Sequence, residues 1–81
     1  MAIYFAQTGN RHLVGGLEEC LAWATREVDR NQSRIVWVSR IRAGEKEATL
    51  VAEVASDGTR FLRTRLTTRV SAIRRILKSE R

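Results

Sequence analysis

The chain of 81 residues has no proline, one cysteine and one histidine, and only 6% of it is aromatic. Each scarcity removes a class of explanation. Cys20 alone cannot close an intramolecular disulfide, so no cross-linked framework is expected, and a reducing, cytoplasmic compartment fits the cysteine usage. His12 and Cys20 do not supply the three or four ligands that zinc takes, so neither a metal nor a cofactor is expected. A Cys–His nucleophilic pair needs a third group to orient it, and none is signalled, so the chain reads as a non-enzyme with no catalytic residue. No apolar run approaches the roughly 20 residues of a membrane helix. The opening MAIYFAQTGN also lacks the basic start and long apolar middle of a signal peptide.

What is present is ordinary for one small folded domain spanning residues 1–81: 43% hydrophobic and 30% charged. The charge is sorted along it. Residues 1–33 set Arg11, Arg26 and Arg30 against Glu18, Glu19, Glu27 and Asp29, a net of −1. Residues 34–57 balance to zero, whereas 58–81 carry seven arginines and Lys78 against Glu80 alone, a net of +7. Solubility needs no such sorting, so a localised basic surface is expected.

Residues 2–8 are β-branched and aromatic enough for a strand, and 9–16 (GNRHLVGG) read as a loop. Leu17, Cys20, Leu21, Ala24 and Val28 recur at helical spacing and predict a helix ending near Asn31. Residues 34–43, 47–56 and 60–67 predict three strands, joined by Gly44-Glu45 and by a turn at Asp57-Gly58-Thr59. A last helix is expected from about Arg69, with Val70, Ile73 and Leu77 as its apolar stripe. The expected fold class is α+β: a two-layer β-α-β-β-β-α sandwich with a mostly antiparallel sheet and both helices on one face.

Turn length fixes which residues face each other. A Gly44-Glu45 turn pairs Ser39 with Leu50, Trp37 with Ala52 and Ile35 with Val54. The next turn then brings Leu62, Thr64 and Leu66 to the same inward face. On the opposite, open face the register predicts Val36, Val38 and Val51 ringed by Arg40, Arg42, Arg63 and Arg65. Apolar residues ringed by arginine are what a recognition patch contains. Arg69, Arg74, Arg75 and Lys78 extend the basic surface along the last helix, where Arg74 and Lys78 repel at i,i+4 spacing. Trp23 falls off the first helix's stripe and is expected along its edge.

The element order is similar to that of ribosome hibernation factors and, without its first strand, to that of the double-stranded-RNA-binding domain. The lysines that open the second helix of the latter have no counterpart in TRVSAIRRILK, so no residue role carries over. The expected function is a binding module that grips duplex or structured nucleic acid through backbone phosphates. Phe61 is the one stacking candidate on the open face, which argues against base reading of single strands. The alternative expectation is a small inhibitor or adaptor, of the kind phages use against host defences, docked on an acidic protein surface. Self-association through the open sheet face, at Val36, Val38 and Val51, is a further expectation.

Overall fold

The computed structural model describes residues 2–62 and 66–79. The expected loop at 9–16 is instead half of a hairpin. Strand β1 (Ala2–Thr8) pairs antiparallel with β2 (Arg11–Gly15), Thr8 facing Arg11 across a two-residue turn. Gly9 takes φ +56° there while Asn10 does not turn positive, the pattern of a type II′ hairpin. The remaining glycines of the segment lie beyond the turn and leave Arg11 to Val14 free to extend.

Helix α1 (Leu17–Arg30) forms as its apolar spacing predicts, with Cys20, Ala24 and Val28 buried. Glu18 and Glu19 occupy the first turn and Arg30 the last, each matched in sign to its end of the helix dipole. Strands β3 (Val36–Arg42), β4 (Glu47–Ala55), β5 (Gly58–Phe61) and β6 (Thr67–Arg69) follow, and then helix α2 (Val70–Ser79). Every strand pair is antiparallel, in the order β2-β1-β3-β4-β5, with β6 also on β4. The expected strand at 60–67 is thus two pieces on one edge of β4: β5 beside Ala52–Ala55 and β6 beside Glu47–Thr49. Its turn also comes earlier than expected. Ala55 faces Gly58 across Ser56-Asp57, and Gly58 carries the positive φ of 128°.

The α+β class and the antiparallel sheet stand as expected; the side taken by the last helix does not. Ser39 faces Leu50 as expected, but the next pair is Val38 with Ala52. Val51 is therefore an extra residue, a β-bulge. One extra residue inverts the facing of everything beyond it. Ala48 packs with Phe5, Val70 and Ile73, whereas Ala52 and Val54 pack with Ala6, Val36, Val38 and the buried stripe of α1. Phe5 and Ala6 are neighbours on one strand, so the two clusters lie on opposite faces. The protein has three layers, with α1 on one side of the sheet and α2 on the other.

Each helix covers only half of its face. α1 lies over the half holding Val36, Val38, Ala52 and Val54, and α2 over the half holding Phe5, Ile41 and Ala48. The half beyond α1 carries Arg40, Thr49 and Thr67 in one row, with Arg42, Glu47 and Arg69 past it. The half beyond α2 carries Gln7, Trp37 and Leu50. One bare half is cationic and the other apolar. Among the described residues no helix is long and apolar enough to cross a membrane.

Candidate nucleic-acid interface

Eight of the ten described arginines fall into two groups with different surroundings; Arg26 and Arg60 belong to neither. The first group meets Glu27, which is 2% exposed on α1. Arg11 Nε donates to Glu27 Oε1 at 2.6 Å and Arg34 Nη1 to the same oxygen at 2.8 Å. Arg11 Nη2 reaches Oε2 at 3.4 Å, and Arg30 Nη1 stands 3.9 Å from it. These contacts tie the hairpin, α1 and the approach to β3 together. Arg11 and Arg34 keep 49% and 34% of their side-chain surface exposed, so the carboxylate is desolvated far more than its partners. The role of Arg11 is structural: it holds the β1–β2 hairpin to α1 through Glu27.

Sequence reading missed Glu27, although a signal was there. It stands three residues after Ala24 and seven after Cys20, on the apolar stripe. A carboxylate in that position must be met by cations, because burying it alone is costly.

The second group is at the other end of the sheet. Arg40 is half-buried, opposite Tyr4 on one side and Thr49 on the other, and Arg42 is exposed at the end of β3. Both were expected on a face free of helices; they lie on the face of α1, in the half that helix leaves bare, because the register shift turns Val36 and Val38 under the helix. Arg69 faces Glu47 across β4–β6. Glu47 is engaged by a neutral group: Thr67 Oγ1 donates to its Oε2 at 2.7 Å. Val70 N–H donates to Lys46 O at 2.8 Å, which seats the start of α2 on the 43–46 turn. An open cleft of about 740 Å³ lies there, lined among others by Lys46, Glu47, Arg69, Ser71 and Arg74.

Helix α2 buries Val70 and Ile73 and half-buries Ile76, while Leu77, expected in the stripe, is 37% exposed. Its buried line is tilted toward Ile76, and Arg74 is left on the cleft side with Lys78 one turn further on. Arg75 is exposed as well. Lys46 of the turn, Arg69 of β6 and Arg74 of α2 line the cleft at the β6–α2 junction, while Arg40, Arg42, Arg75 and Lys78 lie outside its lining. Arg63 and Arg65, which the sequence also placed in the interface, lie outside the described residues.

Other expectations need correction. Val36 and Val38 are fully buried under α1 and Val51 packs against the same cluster, so these valines form no open middle and no stacking face for a second chain. Trp37 was expected inside and is 41% exposed on the α2 face; Leu66 was expected inside and is 55% exposed. Both follow from the same one-residue shift. Trp23 packs against the α1 cluster. Phe61, opposite Ala52, is 62% exposed on the α1 face. Cys20 is buried, and desolvation, aided by the Glu19 charge, pushes its thiol pKa up. Such a thiol stays protonated and is a poor nucleophile.

Searches against protein-family models, curated proteins and solved structures find no match for this chain.

Proposed function

We propose that the protein is a non-enzymatic module that holds duplex or structured nucleic acid by its backbone phosphates. The ridge is formed by Arg40, Arg42 and Lys46 on the sheet end and turn, Arg69 at the junction, and Arg74, Arg75 and Lys78 on α2. One observation carries this reading. Among the described residues, none of these seven cations has an ion-pair partner within the fold, whereas Arg11, Arg30 and Arg34 all converge on Glu27. Unpaired like charges crowded at one end repel, and an anionic partner relieves the repulsion.

Phosphate contacts from arginine and lysine give affinity with little sequence reading. The exposed aromatic groups favour the same view, because Phe61 and Trp37 lie on opposite faces and offer no joint platform for stacked bases. Each phosphate neutralised releases counterions, so about five contacts give a salt slope near −4 to −5.

Fluorescence anisotropy with a labelled duplex tests the reading. Binding at low ionic strength that is lost steeply with added salt supports it. Failure to bind any duplex at low salt would remove nucleic acid and leave an acidic protein surface as the partner of the same ridge.

A further inference from the structure

Glu47 stands in the middle of the cationic ridge. Arg40 faces Thr49 across β3–β4, and two residues along both strands Arg42 and Glu47 share the next row. Arg69 faces Glu47 from the other side, beside Thr67. Glu47 is exposed and lines the cleft with Lys46, Arg69 and Arg74. Glu45 of the turn shares the cleft but stands outside the strand rows. A carboxylate so surrounded would be expected to pair with one of its cations. It does not: the ion pairs of the described residues all converge on Glu27. Thr67 Oγ1 donates to Glu47 Oε2 at 2.7 Å, and among the described residues nothing else bonds this carboxylate. Oε1 therefore keeps its full acceptor capacity on an exposed side chain.

We propose that Glu47 accepts a hydrogen bond from a ribose 2′-hydroxyl, so that the ridge selects RNA over DNA. The inference rests on the phosphate-gripping reading of the ridge and deepens it. A DNA backbone offers only acceptors, its phosphate, ester and ring oxygens. On such a ligand Glu47 has nothing to bind and repels each phosphate that Arg42 or Arg69 attracts. An RNA backbone adds one donor per nucleotide, the 2′-hydroxyl, which lets a protein tell the two apart. A carboxylate accepts that donor in a charge-assisted bond, and the bond offsets the repulsion. One residue thus penalises the wrong ligand and rewards the right one.

Position supports this assignment. Along a nucleic-acid strand each sugar lies between two phosphates, as Glu47 lies between Arg42 and Arg69. The scheme needs the carboxylate kept off its own cations. Thr67 is the positioning residue, because its hydroxyl occupies the oxygen that an Arg69 guanidinium would otherwise take.

Fluorescence anisotropy at one low salt concentration tests the inference with RNA, DNA and 2′-fluoro RNA duplexes of the same sequence. The fluoro duplex keeps the RNA helix form but has no 2′ donor. RNA should bind at least about fivefold tighter than 2′-fluoro RNA, a modest value for one hydrogen bond to a charged acceptor on an exposed side chain. Glu47→Ala should close that gap and strengthen the binding of DNA and 2′-fluoro RNA, whose repulsion it removes. Thr67→Val should narrow the gap and Thr67→Ser keep it, a pattern that a merely structural threonine would not produce. Circular dichroism checks that each variant is folded. Equal binding of RNA and 2′-fluoro RNA, or a gap that persists in Glu47→Ala, would overturn the inference and leave the phosphate reading standing. An unchanged gap in Thr67→Val would overturn the positioning role. No binding to any of the duplexes would remove both the inference and the reading beneath it.

Discussion

The two ends of the sheet use the same side chain for opposite purposes. Below the Val51 bulge, Arg11, Arg30 and Arg34 surround one buried carboxylate and fix the hairpin to α1. Above it, Arg40, Arg42, Arg69, Arg74 and Arg75 form no ion pair among the described residues, although Arg69 faces Glu47 across the strands. Counting arginines along the chain shows where charge accumulates but not whether the fold itself uses it. The deciding feature is whether a carboxylate falls on an apolar stripe. Glu27 does; Glu47, on the exposed side of β4, is engaged by a threonine.

The bulge predicts that Ala52 faces α1 although Leu50, two residues before it, faces α2. The most damaging way to break this comparison is therefore Ala52→Asp, which buries an unpaired carboxylate among Val36, Val38 and Val54. The expected outcome is loss of cooperative unfolding in a urea titration. Retained cooperativity with a native circular-dichroism spectrum would show that Ala52 does not lie under α1.

Glu27→Ala should come next, at about 3 kcal/mol of stability, toward the low end for breaking a buried ion pair because Arg11 and Arg34 can turn to water. Arg69→Ala and Arg74→Ala, measured the same way, should each stay below about 1 kcal/mol, since exposed charges contribute little to folding. Equal losses from the two ends would erase the distinction between structural and free arginines.

Much of the fold was legible in the sequence. The α1 stripe, the hairpin around Gly44 and the span of β4 follow from spacing and turn chemistry. The bulge did not, because Ala48, Leu50, Ala52 and Val54 alternate without interruption and so read as one face. The hint lay in β3, where Val36 and Val38 have one parity and Ile41 the other. A strand apolar at both parities is covered on both sides. The β2 strand was missed because the glycines of GNRHLVGG were weighed together, although Gly9-Asn10 alone makes the turn. Of the candidate site, charge sorting pointed to the basic residues of the last helix; the burial of Val36 and Val38 was not legible, since it depends on the bulge. Leu66 belongs with the same shift: with its side chain 55% exposed, Leu66→Ala should cost under about 1 kcal/mol by urea titration, where a buried leucine would cost about 2–5 kcal/mol.

The smallest expected effect concerns Cys20. Its pKa in the folded protein is raised above the ordinary 9.0, so the stabilisation from keeping the thiol neutral is fully present below that value and fades as pH rises through the raised one. Thermal melts of the protein and of Cys20→Ala should therefore converge or cross at high pH, and iodoacetamide should label the folded thiol far more slowly than the unfolded one. Fast labelling of folded protein would mean that α1 does not cover it.

The most direct test of the contrast between the two ends is the salt dependence of duplex binding in matched double variants. With Arg69 and Arg74 both changed to alanine, the slope of log affinity against log salt should become shallower by about 2, close to 0.9 for each phosphate no longer neutralised. With Arg30 and Arg34 both changed to alanine, in a variant verified as folded, the slope should stay as it was. A slope unmoved by the first pair, or shifted as much by the second, would contradict the division of the arginines into structural and phosphate-gripping sets.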